Sequence, residues 1–154
     1  RALKYNGGVK KDNLSEENLP ALESGMANLE KHVGNIRKFG VPVIVAINHF
    51  AADTPREIEL IKDKCRSWNV GVAFSEVFSK GGEGGLDLAG RLCELIDREE
   101  SNYKPLYGLD LTIREKIEKI CREIYGSDSV VYSDQAVKDI KAIEDLGFGS
   151  LPVC

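Results

Sequence analysis

Leu22, Met26, Leu29, Val33, Ile36 and Phe39 recur at steps of three and four residues, the period that places side chains on one face of a helix. Ser15, followed by Glu16 and Glu17, predicts a capped start, and Gly40 predicts a stop, so the pattern gives an amphipathic helix over 15–39. The period changes at Val41. Residues 41–47, VPVIVAI, form a continuous β-branched run with Pro42 near its start, the pattern of a strand buried on both faces. Thr54, Pro55 and Glu57 supply the N-cap, first helical position and capping-box partner of a second helix, with Ile58, Ile61 and Cys65 as its buried stripe. A second short buried strand is expected over 69–74, then a glycine-rich loop, then a helix with Leu88, Leu92 and Ile96 in line.

Helix, strand, helix, strand, loop, helix is the alternation of an α/β fold, with parallel strands and helices packed on the sheet. Beyond residue 104 the pattern differs. Thr112 and Glu115 form a capping box ahead of Ile113, Ile117, Ile120 and Ile124, and Gly126 is a stop. A short VVY leads to a last helix capped by Ser133 and ended by Gly147. The expected organisation is a parallel-sheet segment over 1–104 followed by a mainly helical α+β appendage over 105–154.

Composition narrows the function classes. With 42% hydrophobic and 30% charged residues, the 154-residue chain falls among globular proteins. A formal net charge of −4 argues against nucleic acid as the main partner. The longest apolar run is far too short to span a bilayer, so no membrane is expected. Cys65, Cys93, Cys121 and Cys154 are widely spaced without a C-x-x-C pair, and the first three fall in helical patterns as small core residues. Reduced thiols and a cytoplasmic location follow. His32 and His49 lie far apart, which gives a zinc site little support. The chain opens on RALKYNGG without a methionine and is expected to be an internal piece of a longer protein.

In open α/β sheets, ligands sit at the carboxyl ends of the strands. Two segments leave such ends: AINHFAADT, with Asn48, Phe50, Asp53 and Thr54, and SEVFSKGGEGG, over 75–85. Asn and Asp after one strand with Ser and Lys after the next is how many P-loop proteins hold a purine. Equally, Asn48 caps the turn and Asp53 helps cap the next helix. Phe50 and Phe78 each stand three residues into their loops, where they either pack back on the domain or flank a flat ring. The glycines of the second loop either bring backbone close to a ligand or form a flexible turn. No Walker A sequence occurs anywhere in the chain, and Lys80 precedes its glycines rather than following them.

FGVPVIVAINHFAADTPREIELIKDKC, SEVFSKGGEGG, YGLDLTIREKIEKICREIYGSDSVVYS and LGFGSLPVC, in that order, closely resemble formate–tetrahydrofolate ligase, over nearly the whole chain. The resemblance implies a segment of a P-loop NTPase-like domain, with the phosphate-binding loop upstream of Arg1. It implies an ATP-dependent ligase that joins formate to tetrahydrofolate through formyl phosphate, releasing ADP and phosphate. Mg2+ accompanying ATP, a monovalent cation and a homotetramer are further implications. Carried over by motif, Phe50 lies beside the pterin, and Phe78 stands where many relatives have the tryptophan on which the pterin stacks. Asn48, Asp53, Ser75, Lys80, Gly81, Gly82, Glu83 and Gly84 would border the nucleotide. Lys80 is either a ligand contact or one half of a structural salt bridge, and His49 carries no catalytic part. No catalytic residue is assigned. The fragment alone is expected to be inactive, and the competing reading is a non-catalytic α/β binding or oligomer-interface module.

Overall fold

A computed structural model describes residues 1–154, which divide into two compact units, Arg1–Asn102 and Tyr103–Cys154. The first unit begins with a short helix α1 (Ala2–Asn6), then α2 (Leu19–Arg37), strand β1 (Ile44–Asn48), α3 (Pro55–Ser67) and strand β2 (Gly71–Ser75). A four-residue helix α4 (Val77–Lys80) and a 3-10 turn (Gly81–Gly85) lead directly into α5 (Leu86–Arg98). The strands pair in parallel with Ile44 opposite Gly71 and Asn48 opposite Ser75, as the α/β alternation predicts.

The core lies where α2 and α3 cover the sheet. Val33, Val45, Cys65 and Val70 are buried together, with Leu29, Val43, Ile61, Trp68 and Val72 packed around them. Removing each large apolar side chain of this kind from water contributes about 1.5–3 kcal/mol. Burial also pushes the Cys65 thiol above its ordinary range.

Three local expectations are corrected. Helix α2 starts at Leu19, capped by the Asn18 side chain, which accepts from the Ala21 amide at 3.0 Å, and not at Ser15. A start at Ser15 would put Pro20 in the helix interior, where its missing N–H breaks the ladder; at Leu19 it falls in the first turn, where none is needed. β1 is shorter than the apolar run and alternates, with Val45 and Ile47 buried and Ala46 and Asn48 exposed, so it is covered on one face rather than two. In α5, Leu88 and Leu95 turn inward while Leu92 and Ile96 are exposed, Ile96 by 66%. Four residues advance a helix by 40° beyond a full turn, so the 88-92-96 row drifts off the face that 88 and 95 share.

The second unit contains α6 (Ile113–Ile120), extended by a π-helical turn (Cys121–Tyr125), and α7 (Asp134–Asp145). The Thr112–Glu115 capping box, the left-handed stop at Gly126 and the Ser133 cap all form as the sequence predicts. VVY is not a strand. Lys116 is fully buried and donates to the carbonyls of Gly149 at 2.6 Å and Leu151 at 3.1 Å. Tyr107 adds a second clasp, donating to the Val153 carbonyl and accepting from its amide. All four cysteines are free thiols; Cys65 is buried and Cys121 half-buried, but Cys93 faces solvent on α5 and is not a core residue.

Candidate functional site

Because Asn48 and Ser75 are register partners, both strands end at the same edge and their loops leave side by side. The ladder runs one step further, the His49 amide donating to the Ser75 carbonyl at 2.9 Å. The first loop then folds into a tight turn. The Phe50 amide donates to Asp53 Oδ2 at 2.9 Å, and the Asp53 amide returns to the Phe50 carbonyl at 2.9 Å. Thr54, rather than Asp53, caps α3: its hydroxyl accepts from the Glu57 amide and Glu57 accepts from the Thr54 amide.

The second loop is helical where an irregular or flexible loop is the simplest expectation. The Glu76 amide donates to the Gly84 carbonyl at 2.9 Å, closing α4 and the 3-10 turn into a compact knuckle. Gly81 has φ +60° and ψ −145°, a conformation open essentially to glycine alone. A Cβ on Gly84 would lie 2.4 Å from the Glu76 carbonyl group, so this glycine is required by close approach within the protein's own backbone. Gly82 and Glu83 are exposed on the outer side of the knuckle.

This arrangement brings Phe50 and Phe78 together. Their ring centroids are 6.2 Å apart at an interplanar angle of 49°, and the Arg1 guanidinium lies 4.4 Å from the Phe50 centroid. Phe78 is 85% exposed. A flat ring held between two others needs about 7 Å, twice the van der Waals separation of about 3.5 Å. At 49° the two rings are tilted rather than parallel, so their centroid spacing is not the width of a slot.

The charges at the site are mostly spoken for. Glu76 accepts from Lys80 Nζ at 2.7 Å and faces His49 Nδ1 at 3.3 Å, and these two partners hold its carboxyl below the usual range. Lys80 is thus one half of an ion pair. Asn48 stands at the strand end with its side chain toward solvent, beside a cavity of about 280 Å³ that Phe50 and Asp53 also line. Deeper in that cavity, Lys4 Nζ meets Glu57 Oε1 at 2.8 Å and the Glu16 carbonyl at 2.7 Å. Burial alone would raise the Glu57 pKa; hydrogen bonds from Lys4 and from the Asn18 and Thr54 amides reverse this and lower it.

The family model of formate–tetrahydrofolate ligase matches residues 1–154. The chain belongs to that family. Within this formate–tetrahydrofolate ligase sequence, Asn48, Phe50, Asp53, Ser75, Phe78, Lys80, Gly81, Gly82, Glu83 and Gly84 all fall on the two adjoining loops and their strand ends. Asp53 and Gly84 are committed to local backbone, and Lys80 to Glu76. Glu76, Lys4 and Glu57 were not candidates on sequence grounds. Glu57 shows itself in the sequence only as a capping-box residue, and nothing in the pattern around Lys4 announces a buried lysine. No helix is long and apolar enough to cross a membrane.

Proposed function

We propose that these loops form the tetrahydrofolate-binding surface of an ATP-dependent ligase that yields 10-formyltetrahydrofolate, ADP and phosphate. The observation that carries the reading is the Phe50–Phe78 pair, two aromatic rings on neighbouring strand-end loops with one face open to solvent. An aromatic face left exposed favours a flat partner, and the pterin is one. In the reaction, formate is phosphorylated by ATP to formyl phosphate. N10 of tetrahydrofolate attacks its carbonyl carbon, the C–O bond to phosphate breaks, and the amine proton is lost. The part of this chain is to hold the pterin so that N10 meets the acyl phosphate in line, a contribution of several kcal/mol when geometry is well fixed.

Asn48, with its amide exposed, and the outward backbone of Gly81 and Gly82, with Ser75 and Glu83 near by, border the adenine. Asp53, Lys80 and Gly84 act indirectly by fixing the loops. No three His, Cys, Asp or Glu side chains converge on one point. We therefore assign none of these residues to the Mg2+ that accompanies ATP or to a monovalent cation. The reading also takes the first unit as part of a P-loop NTPase-like domain of a cytoplasmic homotetramer, with the ATP phosphates held by residues outside these 154 and the isolated chain inactive. The parallel strand pair with ligand loops at one edge supports that fold.

Steady-state kinetics on the full-length protein test the reading. Phe78→Ala should raise KM for tetrahydrofolate by about five- to hundredfold, the loss expected for a ring stacked on an aromatic face, and leave KM for ATP nearly unchanged. Phe78→Trp should lower it. An unchanged tetrahydrofolate KM in Phe78→Ala would overturn the assignment.

A further inference from the structure

The geometry points to Glu76 as the positioning residue that sets the spacing of the Phe50–Phe78 pair, by bracketing the two loops that carry the rings. The inference rests on the reading that this pair holds the pterin. Phe78 has little packing of its own, being 85% exposed, and it rides on a four-residue helix. A single helical turn is too short to hold itself in place, so the position of Phe78 is decided by whatever tethers α4.

Glu76 supplies the tether at three points. Its amide bonds the Gly84 carbonyl at 2.9 Å and closes the base of the knuckle. Its Oε2 accepts from Lys80 Nζ at 2.7 Å, two residues beyond Phe78, and pins the far end of α4. Its Oε1 lies 3.3 Å from Nδ1 of His49, the residue before Phe50. One carboxylate therefore touches the residue before Phe50 and the residue two beyond Phe78, and His49 is in turn fixed by its amide bond to Ser75. The two halves of the bracket differ in stiffness. The Glu76–Gly84 backbone contact leaves no room for even a methyl group, whereas the side-chain contacts to Lys80 and His49 are part-exposed and can lengthen. The rings can thus part from 6.2 Å toward the spacing a flat ligand needs while the base of the loop stays put.

A double-mutant cycle on the full-length protein tests this, with KM for tetrahydrofolate, KM for ATP and kcat measured for wild type, Glu76→Gln, Phe78→Ala and the double variant. Glu76→Gln should raise the tetrahydrofolate KM by about two- to tenfold, the worth of a well-placed aromatic contact. The ATP KM should stay within about twofold. In the Phe78→Ala background, Glu76→Gln should add nothing further. His49→Ala and Lys80→Met, each removing one arm of the bracket, should change the same KM in the same direction by less. The inference is overturned if Glu76→Gln leaves KM unchanged while Phe78→Ala raises it, or if Glu76→Gln has the same effect with and without Phe78. If Phe78→Ala itself leaves the tetrahydrofolate KM unchanged, the ring-pair reading fails and this inference falls with it.

Discussion

Replacing Lys4 by Met removes a charge that is 1% exposed and paired with a carboxylate that is 4% exposed. Methionine fills much the same volume as the lysine stem, so the packing loss is small. What goes is two hydrogen bonds from an ammonium, 2.8 Å to Glu57 Oε1 and 2.7 Å to the Glu16 carbonyl. Breaking a buried ion pair by deleting one partner typically costs about 3–5 kcal/mol, because the other charge is left uncompensated. Here Glu57 keeps donors from the Asn18 amide at 3.0 Å and the Thr54 amide at 3.4 Å. That residual solvation puts the expected loss at the low end, about 3 kcal/mol. Glu57→Gln should cost about as much, since it leaves Lys4 with a neutral acceptor. The two changes should not add: the double variant should lose about 3–4 kcal/mol, a coupling of about 2–3 kcal/mol. Equilibrium urea unfolding of the three variants and wild type at neutral pH gives all four corners of the cycle. Single losses under about 1 kcal/mol, or simple additivity, would refute the claim that this pair anchors the start of α3 and with it the end of the Phe50 loop.

Further outcomes follow from other contacts. Since hydrogen bonds depress the Glu57 pKa, its contribution is fully present above its ordinary value of 4.5 and is lost as pH falls below 4.5 through the depressed value. Acid unfolding of wild type should therefore be steeper in that window than that of Glu57→Gln, as followed by circular dichroism against pH. Gly84→Ala must move the Glu76 backbone by at least the gap between 2.4 Å and the 3.0 Å that real Cβ atoms respect; a loss of about 1–3 kcal/mol and a raised tetrahydrofolate KM are expected, from urea unfolding and steady-state kinetics. Lys116→Met orphans the Gly149 and Leu151 carbonyls, and hydrogen exchange should show faster exchange at the Val153 amide, which is otherwise held by Tyr107.

The elements that the sequence shows clearly are those governed by local rules. Capping boxes at Thr54 and Thr112, the Ser133 cap and the glycine stops at Gly126 and Gly147 depend on residues within one turn, and each forms as the pattern predicts. The start of α2 was displaced because a serine followed by acidic residues looks like a cap, while the position of Pro20 decides the register. The one-sided burial of β1 is not legible in the sequence, because a continuous apolar run does not reveal how many faces are covered. At the site, the matched positions of Phe50 and Phe78 leave open whether the rings pack back on the domain or flank a flat ring, and only the folded loops bring their centroids to 6.2 Å. The roles of Asp53 and Lys80 stayed open, because whether a polar side chain faces a ligand or its own backbone turns on contacts with residues three and four positions away. Lys4 and Glu57 lie far apart in sequence, and only the packing of α1 against α2 and of α2 against α3 brings them together.

The most direct measurement is a structure of the full-length protein with tetrahydrofolate bound. The account predicts the pterin between Phe50 and Phe78, with the ring centroids parted from 6.2 Å to about 7 Å and the Glu76–Gly84 hydrogen bond intact. A pterin bound away from both rings, with their spacing unchanged, would contradict it.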